Sequence, residues 1–268
     1  MIPRIAVVGC GYWGANHVRT FKSLGALFAV ADRNRGRAEG FAADNECLAL
    51  NVEDVFSHPE IDAIVLAVPP QFHAEYAIRA IDNGKDVLVE KPIALTVLDA
   101  ERAVACAKAA KRIFMVGHVL RFHPAFEKLL ALISAGELGE VKYIHSHRLG
   151  LGKFHTENDA LWDLAPHDLS MILAITGTEP LEVRGEGAAL LDHLSDFAHL
   201  HMKFPNGIRS HLFASRLNPY RERRLTVVGT KSMAVFDDGE RWDRKLAVYR
   251  HAVWQDSGHW AFTANEPA

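Results

Sequence analysis

The sequence predicts an α/β fold: a doubly wound parallel sheet in the first half, then an α+β domain with a mostly antiparallel open sheet. Three observations carry this. Between Arg4 and Gly117 short β-branched runs alternate with longer segments of helical periodicity, the pattern of repeated βαβ units. After about residue 120 that alternation stops and strand patterns dominate. The 268 residues suffice for two domains with separate cores, which we place at 1–119 and 120–268.

Taken in order, strands are expected at 4–8, 27–31, 62–67, 86–89 and 113–116. Helices are expected at 13–24, 72–82 and 97–110, with Thr96 as N-cap and Asp99 in the first turn of the third. The second half reads as a helix (124–134), the turn Gly136-Glu137-Leu138-Gly139, a strand (140–149) and a helix (163–175). Alternating runs at 194–204 and 208–217 flank Pro205-Asn206-Gly207, a hairpin signal because Asn-Gly readily supplies positive φ.

Composition narrows the function. With 30 Lys+Arg against 33 Asp+Glu and 49% hydrophobic residues, the chain is a globular protein and not a disordered one. The formal charge of −3 lacks the basic surplus of nucleic-acid binders. No apolar run approaches the ~20 residues of a membrane span, and the N-terminus has no signal-peptide pattern. Three scattered cysteines give neither a disulfide framework nor a thiolate zinc site, so the cytoplasm is the expected compartment.

Gly9-Cys10-Gly11-Tyr12-Trp13-Gly14 follows the first strand and opens a helix. In such a loop the first glycine turns tightly, the second admits a pyrophosphate and the third lets helix and strand pack closely. Asp32 closes the second strand, where a carboxylate can accept hydrogen bonds from ribose hydroxyls and repel a 2′-phosphate. This pattern points to a dinucleotide, NAD; Arg33 and Arg35 keep NADP as the alternative.

Two further groups suggest chemistry. Strand 86–89 ends in Glu90-Lys91-Pro92, at the carboxyl edge of the sheet where ligands of open α/β folds collect. Lys91 can there hydrogen-bond a substrate hydroxyl; the alternative is a surface lysine paired with Glu90. Asp163 and His167 share a helix face if Asp163 opens the helix, and a carboxylate beside an imidazole suits it to take a proton. Spacing alone favours Asp163 as an N-cap and His167 as a surface residue, an order that the resemblance below reverses.

The glycine loop, Ala67-Val68-Pro69-Pro70 followed by His73, Gly84-Lys85-Asp86-Val87-Leu88-Val89-Glu90-Lys91-Pro92 and the Asp163/His167 pair together resemble the glucose–fructose oxidoreductase / inositol dehydrogenase (Gfo/Idh/MocA) family over nearly the whole chain. The resemblance implies a Rossmann domain, a second domain whose open sheet makes homo-oligomer contacts, and NAD(P)-dependent chemistry at a sugar or cyclitol carbon. It implies Lys91 and His167 as catalytic residues with Asp163 assisting, and Glu90 as the residue that orders the loop. The implied cofactor set is Gly9, Gly11, Tyr12, Trp13, Gly14, Asp32, Arg33, Pro69, His73, Glu90 and Lys91. The implied substrate set is Lys91, His118, Arg121, Asp163 and His167. The segment Leu161–Asp168 and Gly117-His118 with Arg121-Phe122 are similar to members acting on nucleotide sugars. A non-catalytic sensor and an NAD-dependent glycosidase are the alternatives. Members usually continue past the equivalent of Ala268 into a helix, so the resemblance implies either a fragment or an unusual ending.

Fifteen histidines raise the question of a metal. His145/His147 and His199/His201 lie two apart on expected strands and share a face, which His211 can join. No carboxylate or thiolate set completes a ligand spacing, so these are read as structural or interface residues and no metal is expected. The densest positive run, Arg216 to Arg224, is read as a solvated strand edge, with contact to an anionic substrate as the alternative.

Overall fold

The computed structural model describes residues 2–152, 159–191 and 193–264, apart from the side chains at 252, 254 and 264. The chain divides into two compact units after Gly117. The first unit comprises β1 (Ile5–Val8), α1 (Tyr12–Ser23), β2 (Leu27–Ala31), α2 (Arg35–Asn45), β3 (Leu48–Leu50), α3 (Val52–Ser57), β4 (Ala63–Leu66), α4 (His73–Asp82), β5 (Asp86–Val89), α5 (Val97–Ala110) and β6 (Phe114–Val116). All its strands run parallel, in the order β3-β2-β1-β4-β5-β6.

Alternate residues of the central strands serve two cores. Ala6, Val8, Ile64 and Leu66 join the apolar cluster on one face, and Ile5, Val7 and Val65 the cluster on the other. Two-sided burial explains why these strands read as continuous apolar runs. The strand order reverses between β1 and β4, so the loops that follow these two strands flank a switch point. Thr96 caps α5 as expected, its Oγ1 accepting from the Asp99 N–H at 3.1 Å and donating to the Asp99 carboxylate at 2.7 Å.

The sequence analysis names neither α2, β3 nor α3. In α2 only Ala38 and Ala42 are buried, so no stripe of large apolar residues marks the helix. The other two span six residues or fewer, too short to display a period.

The second unit comprises α6 (Pro124–Ser134), β7 (Val141–Leu149), α7 (Ala160–Thr176), β8 (Glu182–Ala188), β9 (Phe197–Lys203), β10 (Arg209–Ser215), β11 (Glu222–Gly229), β12 (Ser232–Asp237), β13 (Leu246–Asp256) and β14 (His259–Ala264). Its eight strands are ordered β14-β13-β12-β11-β7-β10-β9-β8, and among the described residues only β7 and β10 pair in parallel. Leu200, Leu212, Ser146, Leu225 and Phe236 are successive cross-strand partners in one buried row. This face, with α6 and α7 packed on it, forms the core.

Helix α7 starts three residues before Asp163. Asp159 is the N-cap and accepts from the Trp162 N–H at 2.8 Å, so Asp163 neither opens nor caps the helix but sits in its first turn. One turn on, Asp168 is fully buried and accepts from the Ser146 hydroxyl and the Arg148 guanidinium, which ties α7 to β7. The β9–β10 loop also differs from expectation. Gly207, at φ +82°, has positive φ while Asn206 does not, and the Gly207 N–H donates to the Phe204 carbonyl at 3.0 Å. That is a type I turn closed by a left-handed glycine, not a two-residue Asn-Gly turn.

The row of the sheet facing away from the helices runs His201, His211, His145, Thr226; the next runs His199, Phe213, His147, Arg224. The rings stack, with centroids 4.2 Å apart for His199–Phe213 and 4.6 Å for His201–His211. His199 Nδ1 lies 3.2 Å from His211 Nε2. Burial, then the neighbouring imidazoles of His201, His199, His147 and His145, push His211 down to about 4. Among the described residues no group of three or more His, Cys, Asp or Glu is arranged to hold a metal ion. Among them, too, no helix is long and apolar enough to cross a membrane.

Two tests follow from this architecture. Asp168→Ala strands the Arg148 charge in the core and should lower unfolding free energy by about 3–5 kcal/mol in urea titrations; an unchanged midpoint would show that the pair does not hold α7. For His211, the unfolded ring takes up its proton near its ordinary value of 6.5, before the folded one. Stability should therefore fall as pH drops from about 6.5 towards 4. His211→Gln should flatten that decline, read as the urea midpoint between pH 7 and 4.5.

Candidate active site

The glycine loop is built by close approach. Gly9 takes φ +99°, and a Cβ there would lie 2.3 Å from the Ala67 carbonyl oxygen. A Cβ at Gly14 would lie 1.8 Å from the Gly9 carbonyl oxygen, so both positions exclude any side chain. A Cβ at Gly11 would meet nothing within 4 Å, which leaves room for a ligand at the second glycine. Helix α1 begins at Tyr12 with no capping side chain and no acid in its first turn. The positive dipole end of α1 thus faces the loop with no acid beside it, a setting that fits a pyrophosphate. Tyr12 and Trp13 stand exposed beside it, edge to face at 5.9 Å.

Asp32 is held at the end of β2. Its carboxylate accepts from the Cys10 N–H and the Asn34 N–H, each at 2.8 Å. A carboxylate has about four acceptor sites, so capacity remains for ribose hydroxyls. Arg37, which the sequence analysis does not single out, lies 3.6 Å from this carboxylate. Arg35, expected as a partner for a 2′-phosphate, is instead engaged with Glu39 at 2.7 Å and Asn51 at 2.9 Å. The Arg33 guanidinium lies over the Phe72 ring at 5.5 Å.

The loop after β5 carries Lys91, joined to Pro92 by a cis peptide bond. Glu90 is buried, accepting from the Lys91 N–H at 3.3 Å and lying 2.8 Å from His17 Nε2 of α1. Gly117 presses on the same carboxylate, with a Cβ there falling 3.2 Å from it. Glu90 therefore fixes the lysine loop to α1, and its burial argues against direct cofactor contact. His17 is absent from the sequence reading; its signal is its place on α1 one turn beyond Gly14.

His73, expected among the cofactor contacts, is 1% exposed, with Nδ1 2.6 Å from the Pro92 carbonyl and Nε2 2.8 Å from that of Val68. Both ring nitrogens face main-chain acceptors, so the ring braces the Val68-Pro69 loop against the lysine loop. Pro69 itself precedes a short 3₁₀ turn, Pro70–Phe72. Lys85 is likewise structural: its ammonium donates to the carbonyls of His58 and Ile61 at 2.7 Å, and burial pushes its pKa down.

In the second unit, Asp163 and His167 are one turn apart on α7 and share a face. Pro166 lies inside the helix and removes the N–H that would bond the Trp162 carbonyl. The His118 ring stands edge-on to His167 at 6.4 Å. Arg121 donates to the Ser170 carbonyl at 3.3 Å, and the Ser170 hydroxyl donates to the His167 carbonyl at 2.7 Å. His118, Arg121, Asp163 and His167 are thus brought together around the first half of α7. A carboxylate, two imidazoles and a guanidinium in one place can bind and deprotonate a hydroxyl.

Residues 3–118 match the family described as an oxidoreductase family with an NAD-binding Rossmann fold, and residues 126–235 match the GFO/IDH/MocA C-terminal domain. The chain is similar to UDP-N-acetylglucosamine 3-dehydrogenase of Acidithiobacillus ferrooxidans, 32% identical over 84% of this chain and 70% of the relative. It is also 30% identical to scyllo-inositol 2-dehydrogenase (NAD(+)) of Bacillus subtilis, over 85% of this chain and 72% of that one. The solved structure of the Acidithiobacillus enzyme superposes with a TM-score of 0.83 at 29% identity, covering 99% of this chain and 83% of the other.

Asp32→Ala should raise the NAD dissociation constant tenfold or more and narrow any preference over NADP, measured by fluorescence titration; unaltered affinity would remove Asp32 from the ribose site. Cys10 gives a second test. Burial, then the Asp32 carboxylate, push its thiol up to about 12, against the opposing effect of Arg37. Cys10 should resist iodoacetamide at pH 8 in the native protein and react in urea, as mass spectrometry would record.

Proposed function

Since the chain belongs to the Gfo/Idh/MocA family and is an NAD-dependent oxidoreductase of sugar CH–OH groups, we propose that it interconverts a secondary hydroxyl and a ketone with Lys91 and His167 managing the hydroxyl proton. Bound NAD would supply the hydride acceptor for the carbinol carbon. Gly9, Gly11 and Gly14 with the open end of α1 would hold its pyrophosphate, Asp32 its ribose, and Tyr12 and Trp13 would flank it.

The observation that carries the reading is the Asp32 carboxylate, fixed by the Cys10 N–H beside an uncapped helix end at the strand-order reversal. Lys91, on a loop anchored by buried Glu90, donates to the substrate oxygen. His167 takes the proton, and Asp163, one turn before it, favours the protonated imidazole. His118 and Arg121 position the sugar. Because the Acidithiobacillus relative is named for a UDP-sugar, a nucleotide sugar is the substrate we favour.

We further assign the open face of the second unit's sheet to a homo-oligomer contact, supported by its stacked half-exposed rings. Three free cysteines support a cytoplasmic setting.

Lys91→Ala and His167→Ala should each lower kcat about 10²–10⁴-fold while NAD affinity is kept, followed as absorbance at 340 nm with UDP-N-acetylglucosamine and with inositols. Undiminished turnover in either variant would overturn its role.

A further inference from the structure

The positive run Arg216 to Arg224 is not used by the reading above, and it is not a strand edge. β11 lies between β12 and β7 in the interior of the sheet. Arg216 is itself buried, 3.7 Å from Asp196, and Arg224 pairs with Asp237 at 3.1 Å. What remains is Arg221 and Arg223.

Arg223 is the cross-strand partner of Arg148, so both point to the side that carries α7, and Arg221 immediately precedes the strand. Arg148 is neutralised by Asp168. Arg223 and Lys245 share a single carboxylate, Asp238, at 3.8 and 3.5 Å. Exposed Arg221 has no ion-pair partner among the described residues. Three cations thus depend on one carboxylate.

The surroundings register that surplus. Burial, then the guanidiniums of Arg148 and Arg221, push Arg223 down, and burial, then Lys245, do the same to His123. Against His123, with ring centroids 5.4 Å apart, lies Trp242, whose indole is 69% exposed. Asp168, the partner of Arg148, directly follows His167 on α7, and the cluster and the candidate sugar residues belong to the same unit.

The geometry points to a nucleoside-diphosphate subsite in which Arg221, Arg223 and Lys245 hold the diphosphate and Trp242 stacks on the base. Guanidiniums bind phosphate oxygens in bidentate fashion, and a diphosphate supplies the negative charge that Asp238 alone does not. An exposed indole gives a base a flat apolar partner. The inference rests on the dehydrogenase reading and deepens it by assigning residues to the diphosphate and the base of the nucleotide sugar favoured there.

Calorimetry with UDP, and separately with inorganic phosphate, tests it on the whole chain saturated with NAD. Wild-type protein should bind UDP at least tenfold more tightly than phosphate. Arg221→Gln and Trp242→Ala, both at exposed positions, should each weaken UDP about tenfold and leave NAD affinity unchanged. In steady-state assays Arg221→Gln should raise KM for UDP-N-acetylglucosamine about tenfold at nearly constant kcat. UDP affinity unchanged in both variants, or phosphate binding as tightly as UDP, would overturn the subsite. NADH formed from a free sugar without UDP binding would sink the subsite and keep the dehydrogenase; UDP binding lost in the variants, with no NADH from any sugar, would do the reverse.

Discussion

A carboxylate withdrawn from water must be surrounded by donors, and this requirement organises the functional residues of both units. Glu90 satisfies it with His17 and the Lys91 N–H, and so sets the loop that carries the candidate proton donor. Asp32 satisfies it with two main-chain N–H groups, one from the glycine loop, and so sets that loop against β2. Asp168 satisfies it with Ser146 and Arg148, and so seats α7 with Asp163 and His167 on the sheet. Glu90 and Asp168 are buried neighbours of the acting residues, whereas the part-buried Asp32 is itself the candidate ribose contact. Substitution at such positions is costly because it leaves the partner unpaired as well.

The fold is legible wherever burial imposes a period. Two-sided strands such as β1 and β4 and the long helix α5 stand out at their observed bounds within a residue or two. Elements whose burial rests on alanines, such as α2, or that end within one turn, such as α3, leave no comparable trace. The start of α7 is misplaced because two acids, Asp159 and Asp163, each suit a cap, and only the hydrogen bond to Trp162 distinguishes them.

For the site, the glycines and Asp32 are read from spacing within one βαβ unit, whereas Lys91, Asp163 and His167 are singled out by the family resemblance, since spacing alone leaves bland alternatives open. His17 and Arg37 are invisible because their partners lie far away in sequence or on another element. His73 has a structural part that its place in a motif does not reveal: its ring nitrogens lie against main-chain carbonyls of two loops. The imidazoles of the open sheet face are predictable from alternation, but the lowered proton affinity of His211 and His145 comes from burial first and then from neighbouring charges, most of them on other strands, which alternation does not show.

The parallel pairing of β7 with β10 has a kinetic meaning. These strands sit at the centre of the eight-stranded sheet, yet α7, β8 and β9 intervene between them along the chain. Closing so large a loop costs entropy before any contact repays it. The antiparallel neighbours β8–β9–β10 and β11–β12–β13 can assemble locally, whereas the seam that joins them through β7 must wait. The position of α7 thus depends on the least local pairing of the unit, because Arg148, which holds Asp168, lies on the strand that joins the two antiparallel groups.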